Sequence, residues 1–190
     1  VYRLQRQQTV ADLDSEELDS IEAGWKFRNE HFSLSTAVFD MDKKNVILRD
    51  ANGFNVSNGR TSHRGVEYEA RARVTSWLAL RAAGTYARHE YDFSRSIEGG
   101  ETIIKGNDVD TAPRQVHNLG VDLQFNQALH AAIDVAFVDR YFLDAANTAA
   151  YAGHTVANLR LDWRATADLR ASLRVDNVFD TAYADRADYA

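Results

Sequence analysis

Few side chains in this sequence are spaced for bond-making chemistry, and most of those that remain suit binding. The six histidines, His31, His63, His89, His117, His130 and His154, lie far apart, and none has the close spacing of a zinc site on one element. The chain has no cysteine, which removes thiolate metal sites, disulfides and cysteine nucleophiles together. Gly99–Gly100 is a turn signal, because no Lys-Ser/Thr follows it at the spacing of a phosphate loop. No Gly-x-Ser-x-Gly elbow occurs, although the members of a Ser-His-Asp triad need not be neighbours in sequence. No enzyme activity, metal site or resident cofactor is expected on these grounds. What remains are cations and aromatics in polar stretches. Arg60, Arg64, Arg95, Lys105, Arg114 and Arg140 can attract an anion, while Tyr91, Phe93, Tyr141 and Tyr151 can pack on a ring or macrocycle. Binding groups collect on loops that a rigid scaffold holds. The plainer reading is that loops in water are polar anyway, and Glu98, Glu101, Asp108 and Asp110 nearly cancel the positive charge.

The scaffold that would hold these loops has period two. From Val66 to Val74, Val66, Tyr68, Ala70, Ala72 and Val74 alternate with Glu67, Glu69, Arg71 and Arg73. A helix would mix these two sets around its circumference, whereas a strand puts them on opposite faces. The same alternation carries Ile21, Ala23, Trp25 and Phe27, then Leu119, Val121, Leu123 and Phe125, and again Leu129, Ala131, Ile133, Val135 and Phe137. It returns in Ala157, Leu159, Leu161 and Trp163, and in Leu169, Ala171, Leu173 and Val175. Two weaker stretches, 32–39 and 78–91, bring the set to about eight strands.

The 190 residues are 45% hydrophobic and 26% charged, which fits neither a disordered chain nor a helical membrane protein. No apolar run approaches the ~18–20 residues of a transmembrane helix, but a membrane-spanning strand needs only ~9–11. The net charge of −6 and the lack of a basic block weigh against nucleic acid as a partner. The connections separate a barrel from a soluble sandwich. Short turns at 29–30, 75–77, 126–128 and 164–168 alternate with long polar connections at 40–63, 92–114 and 141–154. Soluble domains seldom keep several such loops, whereas outer-membrane barrels join strands by short periplasmic turns and longer extracellular loops. Trp25, Phe27, Phe32, Trp77, Phe125 and Trp163 all sit by the short turns, where an aromatic girdle would meet the headgroups.

The segment Arg174-Val-Asp-Asn-Val-Phe-Asp-Thr-Ala-Tyr183 resembles the Asn-Leu/Val-Phe-Asp-x-x-Tyr signature of TonB-dependent receptors. Three more segments resemble that family, in its order. They are Ser15-Glu-Glu through Gly24-Trp-Lys26, Asn58-Gly-Arg-Thr-Ser-His-Arg-Gly-Val-Glu67, and Ala112-Pro-Arg114 followed by Asn118. The resemblance implies an all-β, antiparallel transmembrane barrel of about 22 strands, filled by a plug, that imports a scarce nutrient such as an iron–siderophore complex. It implies outer-membrane lipid and TonB, the latter through the plug, as partners. On this reading residues 1–190 are the distal part of the barrel, without plug or last strand, and the loop cations above would meet an anionic iron chelate. A complete small barrel of about eight strands, serving as an adhesin or structural protein, is the alternative, and a soluble β-sandwich binding module the third.

The apolar faces also suggest particular contacts. A two-residue hairpin at 28–31 would pair Phe27 with Phe32, Trp25 with Leu34 and Ala23 with Thr36. Trp163 would lie opposite Leu169, making Asp162 and Arg170 neighbours on the inner face. So many long inner charges (Glu67, Glu69, Arg71, Arg73, Arg81, Asp134, Arg160 and Arg174) would crowd a closed eight-stranded lumen. An open, curved sheet with unpaired first and last strands is therefore expected.

Overall fold

A computed structural model describes residues 13–185 and 187. Eight antiparallel strands form one meander: β1 (Glu17–Arg28), β2 (Phe32–Arg49), β3 (Asn55–Arg73), β4 (Leu78–Tyr91), β5 (Gln115–Gln124), β6 (Leu129–Val138), β7 (His154–Arg164) and β8 (Arg170–Val175). Each strand pairs with the next in chain order, and β1 and β8 do not pair with each other. The sheet is therefore open, as its crowded inner charges predicted. Two small ribbons lie in the loops, Arg95–Ser96 with Thr102–Ile103 and Tyr141–Phe142 with Ala150–Tyr151. The single-turn 3₁₀ element Glu98–Gly100 is the only helix among the described residues.

Among the described residues this sheet has no second layer to pack on. Among the described residues the buried apolar side chains are mostly alanines, with Ile103, Tyr141 and Val156, and no large side chain is fully buried. A soluble sandwich would bury one face of each sheet in a shared core. Here instead Ile21 is 77% exposed, Trp25 and Leu173 55%, and Leu119 51%, all on one face. The register joins them into a band, with Phe32 opposite Ala72, Ala72 opposite Leu80 and Leu80 opposite Val121. Along β3 and the residue after it the band runs from Val66 to Val74, close to the ~9–11 residues needed to cross hydrocarbon. A concavity lined chiefly by polar-face residues, among them Lys26, Arg28, Ser35, Glu69, Arg71 and Arg81, lies beside the first turn, so the polar face is the inner one.

One polar pair interrupts the apolar face. The Tyr68 hydroxyl crosses β4 at Gly84 to reach His117 Nδ1 at 3.1 Å, and His117 stacks on Phe137. A Cβ on Gly84 would lie 3.0 Å from the Tyr68 hydroxyl and collide with His117, so only glycine leaves this path open. A buried hydroxyl or imidazole facing hydrocarbon is costly alone, and here each satisfies the other.

The four short turns share one device. Asn29, Thr75, Asn126 and Thr166 each begin a turn, and each side-chain oxygen accepts the amides two and three residues on. The residue three on (Phe32, Leu78, Leu129 or Leu169) returns its carbonyl to the turn residue's own N–H. Asn and Thr do this because a short side chain can mimic a backbone acceptor.

That device corrects the expected register. Phe27 pairs with Leu34, Trp25 with Thr36 and Ala23 with Val38, two residues from the expected partners. Asn29 opens the turn instead of sitting within it. At the last hairpin Thr166 likewise opens the turn, so Trp163 pairs with Ala171 and Asp162 with Ser172, and Asp162 and Arg170 are not cross-strand partners. A slip of two keeps every side chain on its expected face. The expected connection at 40–63 is also mostly strand. β2 and β3 run on as a paired ribbon well past the band, with a bulge at Asn45, whose φ is 55°. β3 alone has 19 residues, about 60 Å at ~3.3 Å per residue. Above the membrane both faces meet water, so the ribbon loses the apolar alternation that marks a strand in sequence while keeping its backbone pairing.

The outward face makes a direct test. Leu161 lies outward between Trp163 and Ala157, near the middle of β7. Leu161→Arg should destabilise folding into lipid by about 2–4 kcal/mol, measured by reversible unfolding in bilayers, whereas an arginine added on the inner face should cost far less.

Candidate functional site

The inner face carries a row of charges bound to one another across the strands. Arg81 lies flat over Gly120, where a Cβ would come within 2.7 Å of its guanidinium carbon. From there it reaches Asp122 on β5 at 2.7 Å and Asp134 on β6 at 3.0 Å. His130 stands 3.6 Å from Asp122 and 3.7 Å from Asp162. Asp162 also meets Arg160 at 2.8 Å and accepts from the Ser172 hydroxyl at 2.7 Å. The row thus runs from β4 to β8 without a break. Its members are wet, Arg81 being 42% exposed, so each pair adds only ~0–1 kcal/mol. Their service is to keep a polar wall ordered rather than to hold the sheet together.

At the other end the three long connections lock together. Arg49 meets Glu98 at 2.8 Å and Asp50 bridges to Ile97, tying the β2–β3 end to the 92–114 loop. The Asn147 carboxamide accepts the Asp108 N–H at 2.7 Å and donates to the Asp108 carbonyl at 2.8 Å, joining 92–114 to 139–153. Asn107 donates to the Ala145 carbonyl, Glu101 accepts the Ala145 amide, and Thr111 N–H donates to the Phe142 carbonyl. Asn147 holds φ at 60°, a conformation asparagine tolerates better than most residues. The Asp144 carboxylate accepts the amides of Thr148 and Ala149, closing the tip. Burial alone would raise the Asp144 pKa, but the Thr148 and Ala149 donors outweigh it and hold the carboxyl below its ordinary value.

Against this frame the sequence candidates fall into groups. Arg60 and Arg64 share the face of Val66, the apolar one, continued above the band. Arg64 pairs with Asp40 at 2.9 Å, and Lys105 with Asp92 at 2.6 Å. Lys105 first, then Arg60 and Arg64, draw the Asp92 carboxyl below its usual range. The Arg114 guanidinium donates to both carboxylate oxygens of Asp108, at 2.8 and 3.1 Å, and this contact raises the Arg114 pKa. Arg95 is half-buried on its ribbon, and the Arg140 guanidinium lies 4.8 Å from the Phe142 ring centre. Neither Arg95 nor Arg140 makes an ion pair among the described residues. Tyr91 packs edge-on against Phe93 and donates to Asp110 at 2.5 Å, and burial first, then Asp110, pushes its phenol far above the usual range. Tyr141, 8% exposed, packs against Tyr151 with ring centres 5.3 Å apart and planes tilted by 48°, and both hydroxyls hold main-chain groups near the end of the described residues. The Tyr141 hydroxyl holds both the N–H and the carbonyl of Ala187, and the Tyr151 hydroxyl accepts the Ala184 amide.

Two features escaped the sequence reading. Asn147 and Asp108 stitch the loops through main-chain bonds, and no residue pattern announces such a contact. His63 and His89, 26 residues apart, face each other as cross-strand partners with their Nδ1 atoms 2.9 Å apart. The hairpin register would have paired them, had the strands been extended beyond the band.

A single-layer sheet with an apolar outer belt, a charged inner wall, tight turns at one end and locked loops at the other defines the wall of an outer-membrane β-barrel. The family described as "TonB dependent receptor-like, beta-barrel" matches residues 3–178, and the chain belongs to that family. Its long connections are accordingly extracellular and its tight turns periplasmic. The chain is 28% identical over 160 residues to the ferrichrome outer membrane transporter/phage receptor of Escherichia coli K12, covering 79% of this chain and 20% of that one. It is 22% identical over 182 residues to the probable TonB-dependent siderophore receptor PiuA of Acinetobacter baumannii, covering 92% and 24%. The crystal structure of the siderophore receptor PiuA from the same organism matches with a TM-score of 0.76 at 20% identity, over 93% of this chain and 27% of that one. The unliganded ferric citrate transporter FecA gives 0.75 at 23%, over 88% and 27%. The chain thus spans only 20% to 24% of the length of these two sequence relatives.

The loop lock can be opened without touching the wall. Asn147→Ala removes three bonds to main-chain groups, two of them to Asp108 and one to the Asp144 carbonyl, a local loss of about 1–3 kcal/mol. Amide exchange at Asp108 should accelerate about tenfold or more, and protease should cut 92–114 faster, while the unfolding midpoint of the barrel stays in place.

Proposed function

We propose that this chain forms part of the wall of a receptor that captures an iron–siderophore complex or a similar scarce nutrient and passes it inward. On this reading the whole receptor draws energy from TonB through a plug that fills the lumen, and the chain contributes the distal strands of a barrel of about 22. The observation that carries the reading is the locked extracellular platform above a charged, solvated inner wall. A platform stitched to rigid strands holds contact groups in place, and a wet wall offers a polar ligand a path. Relatives named for ferrichrome, ferrioxamine and a siderophore support the ligand class. The eight-stranded adhesin reading is weaker, because these strands do not close.

Among the loop candidates we assign ligand contact first to Arg95 and Arg140, neither of which forms an ion pair among the described residues, with Tyr91 and Arg114 behind them. Arg60, Arg64 and Lys105 gather around Asp92, and Tyr141 and Tyr151 serve the platform. The role is capture and passage, with no bond made or broken.

Uptake of labelled ferric siderophores tests this in iron-starved cells that make the full-length receptor as their sole siderophore receptor. Uptake of at least one siderophore should require both the receptor and TonB; none across a broad panel, or uptake that survives loss of TonB, would defeat the proposal. Reversing Arg95 and Arg140 together to Glu should weaken binding of an anionic ferric siderophore about tenfold, near 1.4 kcal/mol. Arg60→Glu, on the other face, should leave it within about twofold.

A further inference from the structure

At the mouth of the inner wall, three side chains of unusual chemistry stand in one row. Met41 on β2 pairs with His63 on β3, and His63 pairs with His89 on β4, so all three project from the same face. Met41 is the only methionine in the chain. Neighbouring positions of this kind hold their Cβ atoms about 4.5–5.5 Å apart. The row below is apolar, formed by Phe39, Gly65 and the buried Ala87, and the row above holds Lys43, Thr61 and Tyr91. Lys43 is occupied by Glu16 at 2.9 Å, and Tyr91 by Asp110.

The two imidazoles approach through Nδ1 at 2.9 Å, with ring centres 5.1 Å apart. His63 Nε2 lies 2.9 Å from the Thr61 hydroxyl. When Nε2–H donates to Thr61, the Nδ1 of His63 is left as a lone pair, which the His89 Nδ1–H fills. Locking a tautomer through the far nitrogen is how histidines are readied as metal ligands.

We propose that His63 and His89, with the Met41 thioether beside them, form a binding site for a copper ion at the extracellular mouth. The ion would replace the proton shared between the two Nδ1 atoms, and that proton moves to His89 Nε2, so no charge is left over on the rings. The donor set selects the metal. In this state the two Nδ1 atoms face each other across a hydrogen bond, so both rings turn toward the ion as it enters. Imidazole nitrogens bind copper(II) more tightly than zinc(II) in the general order of divalent affinities. A thioether neighbour suits copper(I) as well, and suits zinc poorly.

The test is titration of the full-length receptor, purified in detergent micelles, with copper(II) sulfate and separately with zinc(II). One equivalent of copper(II) should bind, with an electron paramagnetic resonance spectrum split by two imidazole nitrogens. His63→Ala or His89→Ala should weaken it about 100-fold, and Thr61→Val about tenfold through the lost tautomer lock. Met41→Leu should lower copper(I) affinity about tenfold and leave copper(II) nearly unchanged. His31→Ala, at the periplasmic turn, should change neither. Should an alanine variant fail to fold, as judged by its β-sheet circular dichroism, His63→Gln and His89→Gln keep a polar side chain of similar reach and replace it. Copper binding that survives loss of both histidines would overturn the proposal, as would zinc binding at least as tight as copper or a spectrum without nitrogen splitting.

Discussion

Hydrocarbon offers no partner to a peptide N–H or carbonyl, and each one left unpaired there costs several kcal/mol. Most other features of this chain follow from that constraint. Backbone groups must be satisfied strand to strand, so the chain lies as a single sheet with neighbours in chain order. A single sheet has no interior, and among the described residues the buried positions are chiefly small ones crowded between strands, such as Ala87, Ala131, Ala132 and Ala157. Apolar side chains then face outward, where lipid takes the place of a core. The same constraint makes the outer edges of β1 and β8 the weakest features of these eight strands, because among the described residues nothing pairs with them. In a closed barrel each would meet another strand.

Polar groups obey a second version of the rule. On the inner face they bond sideways, from strand to strand, with water covering what remains. The glycines at 84 and 120 allow this on both faces. Gly120 lets a guanidinium lie flat across a strand and touch carboxylates on β5 and β6, and Gly84 lets a tyrosine on the lipid side reach a histidine two strands away. A side chain at either position would force the long neighbour upright. The charged wall would then lose its continuity, and the lipid face would carry an unpaired hydroxyl.

Parity and register drew on different parts of the sequence. Apolar alternation is a property of every second residue, so the face of Trp25, Leu34, Trp163 or Leu169 was legible at once. Register depends on where a turn begins, and that is decided by one side chain. Asn29 and Thr166 act as acceptors at the first turn position, moving each hairpin by two residues relative to a pairing drawn from apolar faces alone. Strand length was illegible above the band for a related reason. Once both faces of β2 and β3 meet water, Asp40, Asp42, Lys43 and Arg60, Ser62, Arg64 carry no periodic signal, though the backbone pairing continues. The same gap hid the meeting of His63 with His89. The loop cations were legible as a set, but their pairing with Asp40, Asp92 and Asp108 was not, because ion pairs between distant segments leave no mark in local sequence.

The two ends of the sheet are held by different kinds of bond, and that difference separates their stabilities. At the turn end the side-chain caps close hairpins whose strands are zipped along their length, so opening one turn gains little freedom while the strands stay paired. At the loop end the contacts join segments far apart in sequence: Asn147 with the Asp108 backbone, Asn107 with Ala145, Arg49 with Glu98. Each contributes only about 1 kcal/mol net, and breaking one releases a stretch of chain that no ladder restrains. The platform therefore has a much lower local opening energy than the wall it stands on. Loops joined in this way rest as one surface and separate one contact at a time, while the strands beneath keep every backbone bond the membrane requires.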